Sequence, residues 1–323
     1  MTLYKGIQGF SVQNLSADPT DANEGQVWYN STSNVWKLTS TTTTGSWATG
    51  NNMNTGRQEL AGAGTQTVGL AFGGLTTVNT GATEEYNGTS WTTSPGSLNT
   101  ARRSFAGAGT QTAGLAFGGY VTAISAATEK YDGTNWTSVN SMNTARRQLT
   151  GAGSQTSALA FGGLTPSTTG ATEEYDGNSW TTSNPLNTAR QVLGGCGTQT
   201  AGLAFGGETT VRTGATEEYD GTSWASNPTG LNTVRSYLTG AGIQTAALAF
   251  GGETPPATTA TEEYDGSTWT TSPGSLNTAR YQLGGIGTQA AALAFGGGGT
   301  PFSAATEEWL GAGSPTTKTI TTS

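Results

Sequence analysis

Gly114-Leu115-Ala116-Phe117-Gly118-Gly119, followed after a short variable stretch by Ala127-Thr128-Glu129-Lys130-Tyr131-Asp132-Gly133-Thr134-Asn135-Trp136, is the stretch that decides the fold of this chain. Its Phe-Gly-Gly recurs at Phe72, Phe117, Phe161, Phe205, Phe250 and Phe295, spaced by 45, 44, 44, 45 and 45 residues. Each copy is followed by Ala-Thr-Glu-(Glu/Lys)-(Tyr/Trp), and five of the six continue through a Gly turn to a Trp. A fixed period of this size marks one supersecondary unit repeated in a closed or stacked array.

Within the second copy we read four strands, at 104–109, 113–118, 127–131 and 135–138. Asp132-Gly133 lies between the last two and is a strong hairpin signal. No segment has a 3.6-residue apolar period, and Gly is too frequent for stable helices. Four short antiparallel strands per repeat predict the blade of a β-propeller. Six such blades need about the length of residues 53–323. An open stack would expose two strand edges and need polar caps, and none is visible, so closure into a ring is expected. Leu115 and Phe117 lie two apart, share a face and should pack between blades, as should Leu70 with Phe72 and Leu203 with Phe205.

Composition narrows the function. The 323 residues include 50 Gly, no His and one Cys, with a formal charge of −8. Only 33% are hydrophobic, a fraction low enough to suggest disorder, but disordered tracts do not keep Tyr, Trp and Phe in register. The acidic balance, with 13 basic residues spread along the chain, argues against nucleic-acid binding. No run approaches a membrane-spanning length, so no membrane insertion is expected. Cys196 stands where other repeats have Ala or Ile and reads as a small buried hydrophobe.

Without His, a Ser-His-Asp or Cys-His nucleophile is excluded, as is a His metal cluster. Paired carboxylates could serve glycoside hydrolysis. Here, however, the two Glu of each pair are adjacent on a strand and point to opposite faces. The Asp of Tyr-Asp-Gly alone lacks the oxygen ligands calcium needs, and turn chemistry accounts for it. The Gly-rich segments precede no helix and contain no Gly-Lys-Ser/Thr, so they are not phosphate loops. We therefore expect no catalytic residues, cofactor or metal.

Two sets of repeat positions stand out. Glu84, Glu129, Glu173, Glu217, Glu262 and Glu307 are the same in every copy, as are Arg57, Arg102, Arg146, Arg190, Arg235 and Arg280. We expect these to be buried and paired, since an unpaired buried charge costs several kcal/mol. The second Glu becomes Lys130 in one copy and is expected to be solvated. The copies differ most just after Phe-Gly-Gly. If that loop and the link between blades emerge on one side, variation concentrates there, as expected of recognition loops on a rigid scaffold. Tyr120, Ile124, Arg212 and Phe302, with Glu208 and Glu253, are the candidate recognition residues. The opposite side, with its Gly-Thr-Gln-Thr and Asp-Gly-Thr turns, is nearly uniform.

The order of Arg, Gly-Gly, Tyr and Trp, here Arg102, Gly118-Gly119, Tyr131 and Trp136, resembles the kelch repeat. The resemblance covers about five sixths of the chain. It implies a six-bladed kelch-like β-propeller with a binding role. The last copy departs from it, with Trp309 in place of Tyr and no following Trp. The full text of the repeat, Asn-Thr-Ala-Arg, Gly-Ala-Gly-Thr-Gln-Thr-Ala, Leu-Ala-Phe-Gly-Gly and Ala-Thr-Glu-Glu-Tyr, is similar to kelch-like structural proteins of marine tailed phages, cyanophages especially. Glu24-Gly-Gln-Val-Trp28-Tyr29-Asn30-Ser-Thr-Ser-Asn-Val-Trp36-Lys is similar to a short module at the start of phage tail and fibre proteins. These resemblances imply a virion protein, made in the host cytoplasm, released by lysis and present in several copies per particle.

Residues 1–50 are expected to form an extended arm and a hairpin (26–29 with 34–38) that attach residues 51–323, the propeller, to other virion proteins. Tyr4, Ile7, Phe10, Val12, Leu15, Val27, Trp28, Val35 and Trp36 are too many apolar residues for a solvated tail. Trp47 is spaced from Arg57 as Trp136 is from Arg146, so its segment could complete the last blade. The stretch 317–322 competes for that place. The expected function is a non-enzymatic phage structural protein, in a tail, fibre or head appendage, whose propeller contacts a host-surface glycan or another virion protein. The alternatives are a purely structural or decoration protein without a ligand, and a secreted carbohydrate-active enzyme.

Overall fold

The first five repeats each fold into a four-stranded antiparallel sheet in a computed structural model that describes residues 12–19, 25–41, 44–299, 301–313 and 315–320. No α-helix occurs among the described residues. The second repeat has strands Ala106–Gly109, Gly114–Phe117, Thr128–Tyr131 and Trp136–Val139, within two residues of the bounds expected from sequence. Its last hairpin closes with Tyr131 opposite Trp136. The Asp132 carboxylate accepts the backbone N–H groups of Thr134 and Asn135 at 2.8 and 2.7 Å, and Gly133 takes a φ of 93°. Asp tightens the turn through its acceptor and Gly supplies the left-handed backbone.

The described residues hold seven four-stranded sheets, where the repeat count predicts six. Six come from the repeats. The seventh joins Gln13–Leu15, Val27–Asn30, Val35–Thr41 and Pro315–Ile320, its first pair being parallel. The last repeat supplies only three strands, and Ser46–Gly50 adds the fourth, with Trp47 opposite Trp309. The competition for that place is thus decided for Trp47, and the C-terminal strand pairs with Val35–Thr41 instead. Two compact units result, 46–310 and 1–45 with 311–323. Ser46–Gly50 is hydrogen-bonded into the repeats and falls with the larger unit. Tyr4, Ile7 and Phe10, like residues 20–24 and 321–322, lie outside the described residues.

In the smaller unit Trp28 is fully buried, and its Nε1 donates to Asp18 at 3.1 Å. Asp18 also accepts from Asn30 Nδ2 at 2.7 Å and pairs with Lys37 at 2.9 Å. Val12, Val27 and Trp36 are exposed.

The packing between repeats explains the repeated residues. All four residues of Gly114–Phe117 are buried. Leu115 and Phe117 pack with Ala158, Ala160, Tyr175 and Trp180 of the third repeat, while Ala116 packs with Leu70 and Phe72 of the first. The Phe rings lie 4.8–5.2 Å from the Trp of the following repeat, as Phe72 on Trp136 and Phe117 on Trp180. The series continues through Phe250 on Trp47 to Phe295 on Trp91, from the sixth repeat onto the first. Each Trp Nε1 donates to a Thr hydroxyl of the preceding repeat, Trp136 to Thr83 at 2.9 Å and Trp91 to Thr306 at 2.9 Å. The central Gly of the first strand makes room for the Phe. A Cβ at Gly151 would stand 2.4 Å from Phe117 Cζ.

The first strands lie side by side in the order Ala61–Gly64, Ala106–Gly109, Thr150–Ser154, Gly194–Gly197, Thr239–Ile243 and Gly284–Gly287, and the last neighbours the first. Just ahead of these strands a cycle of backbone hydrogen bonds runs through all six repeats. Ser104 donates to Glu59 at 3.0 Å, Gln148 to Ser104 at 2.7 Å and Val192 to Gln148 at 3.0 Å. Tyr237 donates to Val192 at 2.8 Å, Gln282 to Tyr237 at 2.9 Å, and Glu59 back to Gln282 at 2.9 Å. The repeated sheets are compatible with a β-propeller.

Candidate recognition surface

The conserved charges of the repeat lie inside it. Arg57–Glu84 (3.2 Å), Arg102–Glu129 (2.8 Å), Arg146–Glu173 (3.3 Å), Arg190–Glu217 (3.2 Å) and Arg280–Glu307 (2.6 Å) are ion pairs, as is Arg235–Glu262. All twelve side chains are buried. Each Glu also accepts the backbone N–H of an Asn in the inter-repeat link, as Glu217 does from Asn187 at 2.7 Å. The Arg donates to backbone carbonyls, as Arg190 does to Ala204 at 3.4 Å and to Ala215, just ahead of the third strand, at 2.6 Å. Each pair therefore fastens the link to its own sheet. Desolvation pulls the Arg146 and Arg190 guanidinium groups down to about 10, against the opposing pull of their Glu partners. Cys196 is buried, and burial alone pushes its thiol up to about 12.

The second Glu is not solvated as expected. It is half-buried and accepts the phenol of the next repeat's Tyr, as Glu85 does from Tyr131 at 2.6 Å. Tyr86 with Glu308, Tyr219 with Glu174, and Tyr264 with Glu218 repeat the contact. In the second repeat Lys130 stands in this place, donates to the Gly177 carbonyl and leaves the buried Tyr175 hydroxyl without a partner. Reversed charge is tolerated there because Lys130 finds another acceptor, and Tyr175 bears the cost. Lys130→Glu should restore the missing bond and stabilise the protein by about 1 kcal/mol, read as a higher urea midpoint. An unchanged or lower midpoint would show that the lost Lys130 contacts outweigh it.

The candidate loop residues fall into two groups. Tyr120 bridges to Ile124 within its loop and to Arg103 at the entry of its own repeat. Its ring lies between two guanidinium groups, Arg103 at 5.3 Å and Arg147 at 5.2 Å. Glu208 bridges to Arg212, and Arg212 reaches the next repeat, pairing with Glu253 at 2.6 Å and donating to Ser236 at 3.0 Å. Phe302, half-buried on the sixth loop, joins neither group among the described contacts.

Between the two groups lies a set that sequence reasoning missed. Glu59, Ser104, Gln148, Val192, Tyr237 and Gln282 all hold a left-handed backbone, with φ between 50 and 55°. Such a φ is uncommon for non-Gly residues and a true outlier for Val. These residues are the backbone cycle described above. With Leu60, Phe105, Leu149, Leu193, Leu238 and Leu283 they line a cavity of about 90 Å³. The preceding residue of each repeat hydrogen-bonds the residue after Phe-Gly-Gly, as Arg103 does Tyr120 and Gln191 does Glu208, so cycle and loops form one continuous face. The signal was present in the sequence. Gln58-Glu59, Arg103-Ser104, Arg147-Gln148, Gln191-Val192, Ser236-Tyr237 and Tyr281-Gln282 vary inside an otherwise uniform strand entry.

The other turns are structural. Gln111 of Gly-Thr-Gln-Thr donates to the Gly69 and Tyr86 carbonyls of the preceding repeat at 2.9 and 2.7 Å, and Gln66 does the same to Ala292 and Trp309 of the sixth. Comparison with protein-family models finds no match to this chain, and comparison with curated protein sequences finds none either.

Proposed function

We propose that the six repeat sheets are the blades of a closed, kelch-like propeller, and that the protein is a non-enzymatic component of a phage particle whose variable face binds host-surface glycan. The observation that carries the binding role is the contrast between faces. The residue at 59, 104, 148, 192, 237 and 282 changes around the 90 Å³ cavity, while the buried residue after it is Leu in five copies and Phe in one and the Arg–Glu pairs are the same in all six. A purely structural role would leave that variation without a use. The first Glu of every pair is held by an Arg and the second, in four repeats, by a Tyr, which argues against free acid and base groups and so against glycoside hydrolysis. The phage location rests on the resemblance of the repeat text and of the segment around Trp28. Attachment to other virion proteins through residues 1–50, in several copies per particle, rests on the same resemblance and on the exposed Val12, Val27 and Trp36.

The test is host adsorption by particles carrying Tyr120→Ala, Ile124→Ala, Arg212→Ala and Phe302→Ala together. Adsorption should fall by about tenfold or more while particles assemble normally. Normal adsorption would remove the face from host recognition and favour the structural reading.

A further inference from the structure

We propose that the cavity face is an acidic-glycan site, in which Arg147 with Arg103 holds the carboxylate or sulfate of a charged saccharide. The inference rests on the glycan-binding reading above and specifies its ligand. The first observation is an unspent cation. The chain has nine arginines, and eight have a carboxylate within 4.0 Å. Arg147 is the exception among the described residues: its Nε is buried without a hydrogen-bond partner, as in the six structural arginines, but unlike theirs its charge has no carboxylate beside it. In a chain of net charge −8, with carboxylates available in every repeat, a guanidinium left open in this way is set apart from the structural ones.

The second observation is its surroundings. The Tyr120 ring lies between Arg147 and Arg103 and holds both cations in place through its π faces. Arg103 is bound only loosely to Glu59, at 3.5 Å, because Glu59 takes its closer bond from Ser104. Arg103 and Arg147 directly precede the lining residues Ser104 and Gln148, so two forked donors adjoin the cavity lining, in the pattern suited to a planar or tetrahedral anion.

The third observation is what the rest of the cavity offers. Gln148, adjacent to Arg147, lies 3.5 Å from the Tyr237 hydroxyl, and Tyr237 meets Tyr281 edge to face at 6.2 Å. With Ser104 and Gln282 these are neutral donors, acceptors and aromatic edges, the groups that contact sugar hydroxyls and C–H faces. Glu208 and Glu253, with Glu59, add to burial in raising the Tyr237 phenol, and Arg212 pairs with Glu253 at 2.6 Å. An anionic group is therefore drawn to Arg147, whose charge no carboxylate offsets, and to the loosely held Arg103 beside it.

The test is a glycan array carrying neutral, uronic, sialylated and sulfated glycans, probed with the whole protein and with Arg147→Gln. Titration of the best ligand, with and without chemical reduction of its acid groups, accompanies it. We expect hits confined to acidic glycans. Binding should weaken about tenfold or more on Arg147→Gln and by a similar factor on neutralising the ligand, and it should weaken with added salt. The melting temperature of the variant should fall only slightly, since Arg147 holds no ion pair and gives up only its contact with the Tyr120 ring. Hits among neutral glycans, insensitive to Arg147→Gln, would overturn the acidic site and leave the glycan reading standing. No hit of any class would overturn both. Equal binding to an acidic peptide or to inorganic phosphate would show an anion site that is not a sugar site.

Discussion

Replacing Trp47 by alanine should destabilise the repeat unit by about 3–5 kcal/mol, the usual cost of truncating a buried Trp. Trp47 is 7% exposed, packs at a tilt against Phe250 at 4.9 Å and Trp309 at 5.4 Å, and donates to Thr261 at 2.9 Å. Its strand is the fourth of the last sheet, supplied from the other end of the repeat array. Losing it loosens the one place where the first and last parts of the array are stitched by strand pairing, so the effect should spread to the whole unit. Deletion of residues 1–44 leaves this strand in place, and the remaining repeat unit should melt as the full chain's repeats do. Deletion of residues 1–50 removes it and should lower the melting temperature sharply. Urea titration of the three proteins checks this. If the 1–50 deletion is as stable as the 1–44 deletion, the sixth sheet does not depend on the N-terminal strand.

Glu217→Ala should cost a comparable amount, about 3–5 kcal/mol, because it leaves the Arg190 charge buried without its partner. Both side chains are essentially inaccessible, and Glu217 also accepts the N–H groups of Asn187 and Thr188 at 2.7 and 3.2 Å. Changing Arg190 to Met together with Glu217 to Leu should recover much of the loss, since a hydrophobic pair of similar volume avoids the desolvation penalty. The two backbone donors would still lack their acceptor, so full recovery is not expected. A loss under about 1 kcal/mol in the single variant would mean the pair behaves as a solvated surface contact. A double variant no better than the single would locate the cost in the orphaned N–H groups.

Asp132-Gly133 and its counterparts marked the last hairpin because the turn depends on local chemistry alone. The second Glu was misread for the opposite reason. One lysine among the copies suggested solvent, whereas the Tyr phenol that bonds Glu85 or Glu174 comes from the next sheet. The loop residues Tyr120 and Arg212 were legible as variable, but the arginines around Tyr120 and the partnership of Arg212 with Glu253 were not. Glu59, Ser104, Gln148, Val192, Tyr237 and Gln282 were overlooked because a left-handed backbone at a non-Gly residue has no side-chain signature.

By itself the sequence determined the repeat, its four strands, the Leu and Phe face packed between repeats and the pairing of its invariant Arg and Glu. Each is set by spacing along a strand or by the cost of burying one charge, and both act the same way in every copy. Only the tertiary structure decided that Trp47 completes the last sheet while Pro315–Ile320 joins a seventh, because strand pairing over such separations depends on which ends meet. It alone gathered the variable side chains around one cavity, where a cycle of backbone hydrogen bonds brings residues some forty-five positions apart into contact.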